Sequence, residues 1–283
     1  MKILKDGCFT GERALYYSSS LDIRDSVFCD GESPLKESRD IKISGCIFKW
    51  KYPLWYSENI EVTDSTLLET ARSGIWYTRN ISIKGSTIDA PKTFRRASGI
   101  HIEDCTMPHA QESFWNCSDI TIKNLSASGD YFGMGAENVR ADGFYLSGNY
   151  AFDGAKNVEI RNSRLVSKDA FWNTENVTVY DSVIIGEYLG WNSKNLRLVN
   201  CTVESNQGMC YIEDLVMVNC KTPNTDLAFE FCTVDADIVG PVMSIKNPIS
   251  GRIKATSVGE IILDENLVDV SKTEIVTEDK SEI

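Results

Sequence analysis

An eight-residue block recurs along the chain with starts 19 to 21 residues apart, and this spacing restricts the fold more than any other feature. The clearest copies are IKISGCIF (41–48), IEVTDSTL (60–67), ISIKGSTI (81–88), IHIEDCTM (100–107), VEIRNSRL (158–165), VTVYDSVI (177–184) and LRLVNCTV (196–203). Looser copies start at Leu21, Ile120, Val139 and Leu215. A period of this length is the mark of a solenoid.

Counting the first apolar residue of a block as position zero, positions zero and two are Ile, Val or Leu in nearly every copy while position one is polar, so this is a strand with one buried face. Position four is Asp, Gly or Asn throughout, from Asp25 to Asn219, and these residues tolerate a left-handed bend. Position five is a small corner residue, where Cys46, Cys105, Cys201 and Cys220 alternate with Ser26, Ser65, Ser86, Ser163 and Ser182. One residue before zero lies another bend, filled by Asp40, Asn59, Asn80, Asp119, Asn138, Asn157, Asn176, Asn195 and Asp214, whose side chains can bond from coil to coil. Position minus six is apolar (Leu15, Leu35, Leu54, Ile75, Phe94, Phe114, Phe152, Phe171, Met209) and defines a third strand.

Three strands and three bends close one coil. A coil buries about five apolar side chains, on the order of 10 kcal/mol gross, against roughly 1–2 kcal/mol of backbone entropy per residue, so it folds only by stacking. The pattern predicts an all-β, right-handed, single-stranded parallel β-helix of about 11–13 coils. Eleven coils at about 4.8 Å predict a rod about 50 Å long. The expected layout is one domain over 1–283: a cap and first strand in 1–20, regular coils in 21–222, irregular coils in 223–263, and an acidic tail or cap in 264–283. A hexapeptide helix is excluded by the coil length. A pentapeptide-repeat helix shares that length, but its apolar position minus eight is here Ser33, Lys92, Glu112 or Asp169.

If minus six points inward, minus five points out. That outer column reads Tyr16, Lys36, Trp55, Trp76, Arg95, Trp115, Met134, Asp153, Trp172, Trp191, Cys210, and so gathers five of the six tryptophans on one face. An exposed row of indoles marks a ligand or partner surface. Charges beside it change sign along the chain, with Lys51, Arg72, Lys92, Arg95 and Arg96 followed by Glu112, Asp130, Asp153, Asp169 and Glu187. Aromatic platforms flanked by charges suit a carbohydrate. The binding candidates are Trp55, Trp76, Trp115, Trp172, Trp191, Lys51, Arg72 and Lys92. Asp153, Asp169 and Glu187 are candidate acids or bases for glycosidic cleavage, and Lys168 or Arg95 for elimination by proton abstraction. The competing reading is a non-catalytic scaffold that docks a partner or a second copy through the same face. Salt-bridge ladders and tryptophans lying flat on a neighbouring loop are the purely structural alternative.

The net charge of −12 argues against a nucleic-acid partner. No stretch has the length of a signal peptide or a bilayer span, so a cytoplasmic protein with no membrane partner is expected. Nine cysteines (8, 29, 46, 105, 117, 201, 210, 220, 232) without C-x-x-C spacing indicate neither a disulfide framework nor a zinc ribbon. His101 and His109 have no ligand-spaced companion, so no metal or cofactor is expected.

The block set GERAL (11–15), GESPLKES (31–38), KYPLWY (51–56), GIWY (74–77), APKTFRR (90–96), SKDAFWN (167–173), GEYLGWNSKN (186–195) and GEIILDE (259–265) resembles an uncharacterised bacterial family of unknown function. The resemblance covers nearly the whole chain and implies a pectate-lyase-like right-handed β-helix. It implies no activity, and the G-H-G motif of polygalacturonases is missing. Fold analogy alone assigns no reaction.

Overall fold

The computed structural model describes residues 1–278, and the chain falls into two compact units, Met1–Ser147 and Gly148–Ile283. The last five residues of the acidic 264–283 segment lie outside the described residues. Each unit is a parallel β-helix, right-handed as a twisted strand feeding a parallel crossover favours.

In the first unit, one strand per coil stacks from Lys2–Lys5 to Glu137–Ser147, eight described strands in all. Equivalent residues stand opposite one another, Ile41 on Ile60, Ile60 on Ile81, Ile81 on Ile100, Ile100 on Ile120 and Ile120 on Val139. All are buried, as the alternation at positions zero and two demands. The second unit stacks seven such strands, from Lys156–Arg161 to Thr273–Thr277, with Val158, Val177, Leu196, Leu215 and Val234 in register. Four of these strands lie beyond the eleven sequence blocks: Lys2–Lys5, Thr233–Ile238, Ser250–Ala255 and Thr273–Thr277. Their zero positions are Lys2, Val234, Gly251 and Thr273. Three of the four are not apolar, which hides the period there.

The bends behave as their residue types require. Position four has positive φ in Asp25, Asp64, Asp104, Asn124, Asn162, Asp181, Asn200 and Asn219, and so has the residue before zero in each coil from Asp40 to Asp214. Amides at that second bend form a ladder, with Asn59 Nδ2 donating to Asp40 Oδ1 (2.9 Å), Asn80 to Asn59 (3.2 Å), Asn176 to Asn157 (3.2 Å) and Asn195 to Asn176 (2.8 Å). Position five supplies buried corners in which a side-chain oxygen accepts the backbone N–H of the preceding coil, Ser65 from Cys46 (3.0 Å) and Ser182 from Ser163 (3.0 Å).

The third side differs from the expected strand. Among the described residues, regular strand on this side is limited to Ile75–Trp76 and Phe94–Arg95 and, in the last coils, Pro241–Lys246 and Ser257–Ile262; elsewhere it is a turn-rich run with left-handed residues such as Tyr52, Tyr56, Glu112, Phe114 and Asn116. Frequent left-handed residues break the pleat, yet coil-to-coil bonds persist, as from Leu35 N–H to Pro53 O (3.1 Å) and Leu54 N–H to Gly74 O (2.9 Å). Minus six still points inward, with Leu35, Leu54, Ile75, Phe94, Phe114, Phe152, Phe171 and Met209 all buried.

Candidate functional site

The five tryptophans of the outer column are all half-buried, outside the core and not fully open to solvent. What covers them differs between the units.

In Met1–Ser147 the column is closed on itself. Trp55 stacks on Trp76 at 5.2 Å with the rings 9° apart, and Tyr52 lies against Trp55 at 4.5 Å. The Arg95 guanidinium is inserted between Trp76 and Trp115, 4.5 Å from each ring. Both faces of this cation are thus held by aromatic quadrupoles. Glu112 completes the cluster, taking Arg95 (3.1 Å) and Lys92 (2.9 Å). Each indole N–H donates to a carbonyl on the next coil: Trp55 to Ser73 (2.5 Å), Trp76 to Lys92 (2.8 Å) and Trp115 to Tyr131 (2.8 Å). Lys51 pairs with Glu32 (3.2 Å), and Arg72, exposed after a short 3-10 turn, makes no ion pair among the described residues.

In Gly148–Ile283 the column fans out. Trp172 and Trp191 are 5.9 Å apart and tilted by 36°, Trp191 and Tyr211 4.6 Å and 36°, Tyr211 and Phe231 5.2 Å and 43°. Trp172 donates to Tyr188 O (2.9 Å), whereas Trp191 makes no such bond among the described residues. Beside the last rings opens a cleft of about 370 Å³, walled by Tyr211, Phe231, Ile212 and Ile249 and edged by Asn192, Ser193, Lys194, Glu213 and Thr233. Tyr211 is 40% exposed there.

Sequence reasoning placed Cys210 in the outer column, and the structure corrects this. The register is unbroken here, with Lys194 opposite Glu213, so Cys210 does stand at the position of Trp191, but its side chain is fully buried and directs Sγ to Gln207 O (2.8 Å). The ring that meets Trp191 is that of Tyr211, one residue on, at the left-handed position of Asn192. Burial pushes the Cys210 thiol up to about 12.

Of the candidate acids and bases, Asp169, Glu187 and Lys168 come together on neighbouring strands, with Asp169 opposite Glu187, whereas Arg95 lies in the first unit. Asp153 accepts from Asn173 Nδ2 (2.9 Å), and Glu187 pairs with Lys168 (3.6 Å). Asp169 is 2% exposed, with Oδ1 buried and without a partner. Alternation along Arg164–Asp169 turns this carboxyl to the buried side, after Leu165 and Ser167, and the register with the next strand shifts between Val166 and Asp169. The opposing strand comes so close that a Cβ on Gly186 would sit 1.8 Å from Ser167 O. Burial raises the Asp169 pKa above the usual carboxylate range. Among the described residues no group of three or more His, Cys, Asp or Glu could hold a metal ion, and no helix is long and apolar enough to cross a membrane.

Fold and site together define a parallel β-helix that carries an aromatic column on its turn-rich side. The chain belongs to the family described as protein of unknown function (DUF3737), whose model matches residues 2–276. No curated protein matches the chain. Among solved structures it is similar to the surface adhesin PfbA of Streptococcus pneumoniae (14% identity, 76% of this chain and 71% of that one, TM-score 0.42). It is also similar to the A-module of the mannuronan C-5 epimerase AlgE4 of Azotobacter vinelandii (10%, 96% and 87%, 0.31) and to the periplasmic alginate epimerase AlgG (10%, 98% and 72%, 0.30).

Proposed function

We propose that the chain is a carbohydrate-binding β-helix that seats an oligosaccharide or glycoconjugate on the Trp191, Tyr211 and Phe231 rings of its second unit. The observation that carries this reading is the cleft of about 370 Å³ at the fanned end of that column. Sugars present an apolar face to a ring and hydroxyls to amides, hydroxyls and charges. Tyr211 and Phe231 supply the rings; Asn192, Ser193, Thr233 and the Lys194–Glu213 pair (2.8 Å) supply the polar rim. The Trp191 N–H is left to donate to a sugar hydroxyl. The reading is of binding rather than cleavage, because Asp153, Asp169 and Glu187 are held by Asn173, by burial and by Lys168.

Titrating neutral and acidic oligosaccharides into wild type and Tyr211→Ala, followed by calorimetry, tests the proposal. Binding by wild type that weakens tenfold or more in the variant supports it. No heat from any sugar rejects it. In that event, light scattering on wild type and a Trp172→Ala, Trp191→Ala double variant examines the scaffold reading, which requires an oligomer that the variant loses.

A further inference from the structure

Cys8 and Cys29 lie outside the corner positions that explain Cys46, Cys105, Cys201 and Cys220. They are 21 residues apart, one coil, and sit on neighbouring parallel strands, Cys8–Phe9 and Val27–Phe28 with its following residue. Phe9 and Phe28 are in register and stack at 4.9 Å, so the flanking cysteines both point outward, on the diagonal across the two strands. Their Sγ atoms are 3.0 Å apart. Cys8 is exposed and Cys29 partly so, whereas the other seven cysteines are buried.

We propose that Cys8 and Cys29 form a reversible disulfide that staples the first coil to the second. A disulfide needs the sulfurs about 2.05 Å apart, so closure asks for a movement of about 1 Å. The oxidant is a small-molecule disulfide. The more exposed Cys8, as thiolate, attacks one of its sulfurs and expels the other half as a thiolate. Cys29, deprotonated, then attacks Sγ of Cys8 in this mixed disulfide and expels the second half. Overall two protein thiols lose two protons and two electrons, and one small disulfide is reduced to two thiols. The staple acts on a coil that, among the described residues, stacks on one neighbour through bonds such as Gly11 N–H to Asp30 O (2.9 Å) and Leu15 N–H to Pro34 O (2.8 Å). Lys2–Lys5 is largely exposed, and within its ladder it pairs with one strand, Ser19–Arg24. Tying Cys8 to Cys29 removes the freedom of that coil to peel away.

The test is to incubate the intact, reduced protein with oxidised glutathione and map its thiols by mass spectrometry. The expected product has lost two hydrogens, carries no glutathione, gives a Cys8–Cys29 linked peptide pair and returns to the free thiols with dithiothreitol. In Cys29→Ser the mixed disulfide should persist on Cys8. Hydrogen exchange of residues 2–9 should slow on oxidation of wild type and stay unchanged in Cys29→Ser. Unreacted thiols, stable glutathione adducts on wild-type Cys8, or links to other cysteines would overturn the assignment.

Discussion

The same outer column is built in two ways. Between Trp55 and Trp115 the rings are stacked nearly parallel or clamp a guanidinium, and every indole N–H is bonded to a neighbouring coil. Between Trp172 and Phe231 the rings splay by 36° to 43°, and the column runs out beside a cleft. An indole whose faces are stacked and whose N–H is bonded is a fastener between coils. An indole tilted away from its neighbour keeps part of a face for something else. A row of tryptophans in a solenoid therefore does not define a binding surface until the ring planes and the N–H partners are known.

The largest expected effect separates these two roles. Trp76→Ala removes stacking on Trp55, the Arg95 contact and the bond to Lys92 O, and should cost about 3–5 kcal/mol in urea unfolding. Trp191→Ala, which lacks an indole bond, should cost about 1–2 kcal/mol less than that. Equal losses would erase the distinction. Next comes Arg95→Lys, which keeps the charge but not the planar stack between two rings. We expect a loss of about 1–2 kcal/mol by the same measurement. An unchanged midpoint would show that charge alone holds the clamp.

Smaller in stability but sharper in function, Trp191→Phe should leave the unfolding midpoint nearly unchanged and weaken oligosaccharide binding, while Trp115→Phe should do the reverse. Calorimetry beside unfolding reads both. The smallest effect concerns Asp169. Because burial raises its folded pKa, wild type is favoured while the carboxyl is protonated and loses stability as pH rises from the ordinary value of about 3.9 through the folded value. Asp169→Asn should therefore melt higher than wild type at pH 7, with the gap closing as pH falls below about 4. A gap that widens in acid would contradict the burial argument.

Much of this was legible from the residues because a solenoid repeats its rules. Ile at zero and two, Asn before zero and Ser or Cys at five each gave in the structure the burial or bend their chemistry implied. The tryptophan column was legible as well, since minus six stays inward even where the third side is no regular strand. What the pattern hid depended on the directions of single side chains. Asp169 turns inward at a position that other coils fill with exposed or partly exposed residues such as Lys92 and Glu112, and Cys210 turns inward with the period intact. Ring tilt and indole partners have no signature in residue type. The Cys8 and Cys29 pair escaped notice because diagonal neighbours occupy different positions of the template.

Indole resonances of nitrogen-15-labelled protein, recorded while an oligosaccharide panel is added, test the central claim most directly. The Trp191 N–H should exchange with water faster than those of Trp55, Trp76, Trp115 and Trp172, and should shift on addition of a bound sugar while the first-unit signals stay in place. Shifts confined to Trp55, Trp76 or Trp115, or a Trp191 signal unmoved by every sugar, would contradict it.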